Sequence, residues 1–193
     1  ANTSVTVNQP TALTASATAG SILCNGGTTT VTVSASGGTA PYSGTGTFTV
    51  SAGTHNYTVT DANGCSANTS VTVNQPTALT ASATTGSILC NGGTTTVTVS
   101  ASGGTAPYSG TGTFTVSAGT HNYTVTDANG CTANTSVTVT QPTALTASAT
   151  AGSILCNGGT TTVTVSASGG TAPYTGTGTF TVSAGTHNYT VTD

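Results

Sequence analysis

The chain has 193 residues, five cysteines, three acidic residues, and no Lys or Arg. Charged residues make up 2% of it, against about a quarter in ordinary globular domains. This excludes nucleic acid and anionic membrane surfaces as partners, because both are bound through cationic side chains. No apolar run approaches the ~20 residues of a membrane-spanning helix, so direct membrane insertion is not expected either.

The sequence is an internal repeat with a period of 66 residues. ANTSVTV begins at residues 1, 67 and 133, and each copy is followed three residues later by a proline. Proline cannot donate to a strand ladder, so it ends the strand before it and marks the junctions. The predicted domains are 10–75 (repeat 1), 76–141 (repeat 2) and 142–193 (repeat 3). Residues 1–9 then form the last strand of a preceding repeat, and repeat 3 lacks its own last strand.

Polar and apolar residues alternate along repeat 1, which predicts strands. Val31 and Val33 share one face of their segment, and Tyr57 and Val59 share one face of theirs. The predicted strands are 13–18, 28–36, 45–51, 55–61 and 68–74. The predicted core is Leu13, Ile22, Leu23, Val31, Val33, Tyr42, Phe48, Val50, Tyr57, Val59, Val71 and Val73. No segment has helical periodicity, so the fold class is all-β: tandem immunoglobulin-like β-sandwich domains in a rod-like array.

Asn63-Gly64 lies between the last two strands of repeat 1 and predicts a tight hairpin turn with positive φ. Asp61 is expected to cap this turn with its carboxylate. A calcium loop would need more oxygen ligands and a closing acid than follow here. Tyr57 is expected to act as a corner tyrosine that ties a loop to the sandwich.

Each complete repeat has two cysteines, which fits an oxidising, extracellular setting. The predicted disulfides are Cys24–Cys65 and Cys90–Cys131, and the partner of Cys156 is expected beyond Asp193. A Cys24–Cys65 bond would close about forty residues and contribute roughly 4 kcal/mol. No signal peptide is visible, so export is inferred from the cysteines.

Three runs of the sequence resemble the SprB repeat of the large, tandemly repeated surface adhesins of gliding Bacteroidota. They are ILCNGGTTTVTVSASGGTAPY (22–42), GTFTV (46–50) and AGTHNYTVTDANGC (52–65), and the most specific parts are SGGTAPY (36–42) and YTVTDANGC (57–65). The resemblance covers every repeat nearly end to end. It implies an immunoglobulin-like sandwich, a cell-surface location and, for members of the gliding system, an adhesin moved along the surface. Cys24 and Cys65 match the two cysteines of that family.

The sequence does not predict an enzyme, a cofactor or a metal site. His55, His121 and His187 occur singly, one in each repeat, whereas a metal needs two or three converging ligands. Covalent glycans are candidate modifications, since sugar on outward-facing side chains would replace the missing charge. The candidate sites are Asn2, Asn56, Asn68, Asn122, Asn134, Asn188, Thr30, Thr32, Thr47, Thr49, Thr58 and Thr60.

The favoured function is a structural stalk or fibre segment of a secreted, repetitive cell-surface adhesin, as a window of a longer array. Near-identical repeats indicate a spacer, whose partners are identical repeats or chains in a filament at the cell surface or released from it. The alternative is a discrete fibre subunit that donates residues 1–9 as a strand to the third domain of the next chain. Cys156 argues against this, since its thiol would stay unpaired. A carbohydrate-binding or ice-binding module is a weaker alternative, because aromatic platforms are lacking and a twisted sheet does not keep Thr rows in one plane.

Overall fold

The computed structural model describes residues 1–193, and it confirms the all-β prediction. Repeat 1 contains five strands: β1 Thr14–Ala19, β2 Thr29–Ser36, β3 Gly46–Val50, β4 Gly53–Thr60 and β5 Ser66–Val73. The predicted boundaries agree with these to within two residues. The remaining strands are β6 Thr80–Thr85, β7 Thr95–Ser102, β8 Gly112–Val116, β9 Gly119–Thr126, β10 Thr132–Val139, β11 Thr146–Ala151, β12 Thr160–Ser168 and β13 Gly178–Ser183.

The chain divides into two compact units. Unit 1 contains residues 1–80 with 101–109 and 125–133, and unit 2 contains the remaining residues. Three segments of repeat 2, 76–80, 101–109 and 125–133, therefore belong to the same compact unit as the whole of repeat 1. The three immunoglobulin-like domains expected from the sequence stay a prediction.

The strands of repeat 1 form two antiparallel sheets. β2 lies between β1 and β3, and Val31 of β2 is opposite Ala19 on one side and Phe48 on the other. β4 pairs only with β5, with Val59 opposite Ala67. An isolated antiparallel β-bridge between Ser43 and Thr60 joins the segment between β2 and β3 to the edge of β4. The same sheet orders recur for β6-β7-β8 and β10-β9, and for β11-β12-β13.

The core of repeat 1 lies between these two sheets. Successive side chains of a strand point to opposite faces, so the alternating sequence sends apolar residues to one side. Val31 and Val59, one from each sheet, are fully buried. The buried cluster consists of Ile22, Val31, Val33, Val59 and Val73, with smaller or half-buried side chains such as Ala15 and Tyr42 around it.

Two residues of the predicted core are exposed, which corrects that prediction. Leu23 is 57% exposed because it lies in the loop after β1 rather than on a strand. Phe48 is 36% exposed, and its ring packs beside Tyr57 with the centroids 5.0 Å apart. The pair shields the edge of the core instead of filling it.

Two segments have the same sequence as strands elsewhere in the chain but are not strands themselves. Residues 1–13 form no ladder, and Val5 and Val7 are each 87% exposed. Residues 185–191, which match β4 in sequence, likewise have no strand assignment.

Candidate functional site

The turn between β4 and β5 is organised by one buried carboxylate, that of Asp61, which is 6% exposed. Its Oδ1 accepts hydrogen bonds from the backbone N–H groups of Asn63 at 3.0 Å and Cys65 at 2.9 Å. Its Oδ2 accepts one from Thr39 N–H at 2.9 Å. The Thr39 bond, with those from Cys65 and Asn63, lowers the pKa of Asp61 below its ordinary value of 3.8, against the opposing effect of burial. The predicted capping role of Asp61 is confirmed.

The turn differs from the predicted hairpin in its backbone. Gly64 has a φ of 84°, as expected, but no residue other than glycine has a positive φ. Asn63 is therefore not in the left-handed conformation that a two-residue Asn-Gly turn requires. Instead, Gly64 N–H donates to Asp61 C=O at 3.1 Å and Asp61 N–H donates to Cys65 C=O at 2.9 Å. The result is a five-residue turn, referred to below as the Asp turn, with the cysteine at its end.

Repeat 2 builds the same Asp turn around Asp127, which is also 6% exposed. Burial raises the pKa of this carboxyl, but hydrogen bonds from the N–H groups of Thr105, Cys131 and Asn129 outweigh it, so the pKa is lowered. In repeat 3, Asp193 accepts the corresponding bond from Thr171 N–H at 2.8 Å.

A tyrosine anchors the loop beside the Asp turn, but it is not the tyrosine predicted. Tyr42 donates its hydroxyl to Gly37 C=O at 2.6 Å. The hydroxyl of Tyr57 is buried without a hydrogen-bond partner. The corner role predicted for Tyr57 is thus wrong, because its hydroxyl does not reach a loop carbonyl.

The disulfide joins two repeats. Cys24 is bonded to Cys131, with the two Cα atoms 5.7 Å apart, and Cys65, Cys90 and Cys156 are free and exposed. The predicted pairs Cys24–Cys65 and Cys90–Cys131 are therefore wrong.

The strand directions give the physical reason for this correction. Cys24 follows the end of β1, whereas the Asp turn that holds Cys65 lies beside the start of β1, where Gly38 N–H donates to Thr11 C=O. The six residues of β1 put about 20 Å between these two ends. A disulfide tolerates a Cα separation of up to about 7 Å.

Within unit 1, hydrogen bonds also connect the Cys24 loop of repeat 1 to the linker and to repeat 2. Asn129 of the repeat 2 Asp turn donates its side-chain amide to Leu23 C=O at 3.1 Å. Asn25 donates to Pro76 C=O at 3.0 Å, and Gly26 N–H donates to the side-chain oxygen of Gln75 at 2.7 Å. The Gln-Pro linker is thus held to the loop that carries Cys24. A mainly polar cleft of about 580 Å³ lies here, lined by residues 19–23 and 71–76 with Thr105 and Asn129.

Unit 2 contains the equivalent linker contacts. Asn91 donates to Pro142 C=O at 2.9 Å, and Gly92 N–H donates to the side-chain oxygen of Gln141 at 2.8 Å. This role of the NGG segment was not predicted from the sequence. The signal that could have found it is that the CNGG segments at 24–27 and 90–93 are each followed by a QPT segment about fifty residues later.

The candidate N-linked positions meet on the outer face of β4 and β5. Asn56 is opposite Ser70, and Thr58 is opposite Asn68, whose side-chain oxygen accepts the Thr58 hydroxyl at 2.7 Å. They line a shallow concavity of about 480 Å³ that also contains Tyr57. The equivalent concavity in unit 2, about 400 Å³, contains Asn122 and Asn134. Asn2 and Asn188 are also exposed.

Four of the six candidate O-linked positions form rows on the other sheet. Thr30 is opposite Thr49, and Thr32 is opposite Thr47, with all four side chains exposed. Thr58 is exposed on β4, whereas Thr60 is half-buried at the bridge to Ser43.

The three histidines are bonded locally. His55, His121 and His187 lie 2.9–3.0 Å, through Nε2, from the carbonyls of Ser51, Ser117 and Ser183. No group of three or more His, Cys, Asp or Glu side chains is placed to hold a metal ion. The structure also contains no helix that could span a membrane.

Comparison with known proteins finds no matching family profile and no matching curated protein.

Proposed function

We propose that this chain is a structural segment of a secreted, repetitive surface adhesin, in which immunoglobulin-like repeats are joined into a stalk or fibre. The observation that carries the proposal is the Cys24–Cys131 bond, which fastens repeat 1 to repeat 2. Such a bond suits a stalk, because it ties the loop of repeat 1 to the Asp turn of repeat 2 and limits how far the chain between them can extend if a repeat unfolds.

The linker contacts support the same function. Asn25 and Gly26 bind Pro76 and Gln75 through backbone and amide groups, so the passage between the repeats is held rather than free. The same contacts recur at Asn91 and Gly92. Stacked units that contact mainly their neighbours give reach with little sequence diversity.

The outer faces fit an extracellular filament that carries glycans. Exposed hydroxyl and amide groups cover both sheets, with the two candidate N-linked residues Asn56 and Asn68 on one face. A nearly uncharged protein surface promotes association and precipitation. Covalent sugar on these faces would keep such a surface hydrated.

Small-angle X-ray scattering of the purified chain, with and without reductant, tests the stalk. We expect elongated particles. Their maximum dimension should be uniform among the molecules of the oxidised protein and should vary more from molecule to molecule after reduction. A C90S variant, which leaves Cys24–Cys131 intact, should behave like the parent. A compact particle, or one unaffected by reduction, would contradict the proposal.

A further inference from the structure

Five asparagines of the chain are followed by glycine, and all five lie in one of two kinds of loop. Asn25, Asn91 and Asn157 belong to the CNGG loops, and Asn63 and Asn129 belong to the Asp turns. An Asn-Gly pair loses its side-chain amide readily, because glycine has no Cβ that would hinder the approach of its backbone nitrogen to the amide carbon. These loops therefore contain the most reactive amides of the chain.

Two of these asparagines meet where the Cys24 loop contacts the linker and the Asp turn of repeat 2, a contact called the joint below. Asn25 donates its side-chain amide to Pro76 C=O at 3.0 Å, and Asn129 donates its own to Leu23 C=O at 3.1 Å. Both side chains are exposed, and Asn129 also lines the cleft of about 580 Å³. The joint is thus held by two amides that water can reach.

The closed joint keeps the reacting groups of Asn25 bound to other partners. Loss of the amide requires the backbone nitrogen of Gly26 to attack the side-chain carbon of Asn25. In the structure, Gly26 N–H donates to the side-chain oxygen of Gln75 at 2.7 Å, and the Asn25 amide is bonded to Pro76. The reaction at Asn25 therefore requires these contacts to the linker to break.

The joint also restrains Asn129 in a way that it does not restrain Asn63, the same position of repeat 1. Each of the two donates its amide to a threonine of its own repeat, at 3.0 Å for Asn129 and 2.9 Å for Asn63. Only Asn129 also donates to Leu23 across the joint. Its side chain is therefore the less free of the two.

The Cys24–Cys131 disulfide is the covalent part of the joint. Cys24 is next to Asn25, and Cys131 is two residues after Asn129. Exposed hydrogen bonds contribute little net stability by themselves, because water replaces the partner that is lost. The restraint of both asparagines therefore depends on the bond between the neighbouring cysteines.

We propose that Asn25 and Asn129 are deamidation sites controlled by this disulfide, protected while it is intact and converted to acids once it is reduced. The glycine nitrogen bonds to the side-chain carbon of the asparagine, and its proton leaves with the amide nitrogen as ammonia. A five-membered succinimide remains. Water then opens the ring to aspartate or isoaspartate, so the net change takes up one water and releases one ammonia.

The product does not close the joint again. A carboxylate has no hydrogen to donate, so an acid at position 129 leaves Leu23 C=O without its donor and faces it with a negative charge. Asp127 already accepts the backbone N–H of Asn129 at 2.9 Å, so two carboxylates would lie close together. Reduction of the disulfide is reversible, whereas this conversion is not. A period of reduction thus leaves the joint open permanently.

The same molecule contains a matched control for each site. Asn91 lies in a loop identical in sequence to that of Asn25 and makes the same bond to its linker, at 2.9 Å, but Cys90 beside it forms no disulfide. Asn63 is the control for Asn129, since it lies in the same kind of turn without the bond across the joint. A difference within either pair therefore reports the joint.

Incubation of the full chain at mildly alkaline pH, comparing the parent with C131S, tests the protection. A protease that cuts before Asp yields the fragments 1–60, 61–126 and 127–192, in which tandem mass spectrometry locates each new acid. In the oxidised parent, Asn25 should react several-fold more slowly than Asn91, and Asn129 several-fold more slowly than Asn63. In C131S the two slow sites should reach the rates of their controls, which themselves stay unchanged.

Equal rates within each pair in the parent would overturn the protection, and this comparison does not depend on how C131S folds. Circular dichroism checks the fold of C131S. A rise at all four sites in folded C131S would also contradict the proposal, because the joint would then not be what controls the reaction.

The variant N129D tests the effect of the product on the joint. The rate at which dithiothreitol reduces the Cys24–Cys131 bond should be several-fold higher in N129D than in the parent. Added negative charge alone would slow attack by a thiolate, so faster reduction reports an opened joint. N56D, which adds the same charge on the exposed outer face of β4, should match the parent. An unchanged rate in N129D would show that the acid does not loosen the joint and would overturn that part of the proposal.

Discussion

At the scale of single residues, the buried Asp61 and Asp127 carboxylates make stability depend on pH. Both pKa values are lowered from 3.8 by backbone N–H donors in the folded chain. A lowered pKa means that the ionised form contributes stability above pH 3.8, and that this contribution is lost as the pH falls through the folded-state value. We expect the urea midpoint of the parent to be flat from pH 7 to 5 and to fall below pH 4. In D61N/D127N the midpoint should be lower at pH 7 and less dependent on pH. An unchanged pH profile in this variant would contradict the role given to the two carboxylates.

Two tyrosines of the same repeat allow the contributions of a bonded and an unbonded hydroxyl to the free energy of unfolding to be compared. Tyr42 donates a hydrogen bond of 2.6 Å to Gly37 C=O, and Tyr57 has a buried hydroxyl without a partner. Removing the first hydroxyl leaves a carbonyl unsatisfied and should cost about 1–3 kcal/mol, whereas removing the second should be neutral or stabilising. Chemical unfolding of Y42F and Y57F measures both. Equal losses in the two variants would contradict the different roles of these hydroxyls.

At the scale of elements, the β4–β5 connection depends on one backbone conformation. Gly64 has a φ of 84°, and a Cβ at this position would meet no atom within 4 Å. The cost of Gly64→Ala is therefore conformational rather than steric, and we expect about 1–2 kcal/mol of destabilisation in urea unfolding. Gly64→Asn should cost less, because Asn tolerates the left-handed region. If Ala and Asn were equally harmless, the turn would not require this conformation.

The elements also separate what the sequence predicts from what it does not. Val31 and Val33 alternate with Thr, so β2 and its buried face could be read directly from the pattern. Leu23 is as apolar as a core residue, and only its place in a loop, set by the fold, leaves it exposed. The hydrogen bonds of Tyr42 and Tyr57 could not be assigned either, since a pattern places a side chain on a face but does not fix where its hydroxyl ends.

The disulfide pairing could not be predicted from the sequence, because the sequence is repetitive. Because the repeats are nearly identical, Cys65 and Cys131 lie in the same local sequence, and that sequence does not show which of them pairs with Cys24. Only the direction of β1 decides between them, because it sends Cys24 to the opposite end of the sandwich from Cys65. The sequence predicted the right residue types and the wrong partners.

At the scale of the whole molecule, the Cys24–Cys131 bond spans 107 residues and holds parts of two repeats in one compact unit. Closing a loop of this size is worth about 4.7 kcal/mol in the chain-entropy treatment, of which real bonds often deliver less. We expect C24S to lower the free energy of unfolding of unit 1 by about 3–5 kcal/mol. C131S should lower it equally, and C24S/C131S should be no worse than either, because each removes the same bond. C65S, measured at a concentration where the chain is monomeric, is the control and should match the parent. Urea unfolding without reductant measures all four variants, and adding reductant should bring the parent down to the level of C24S. A loss in C65S with none in C131S would mean that the bond lies within repeat 1 after all.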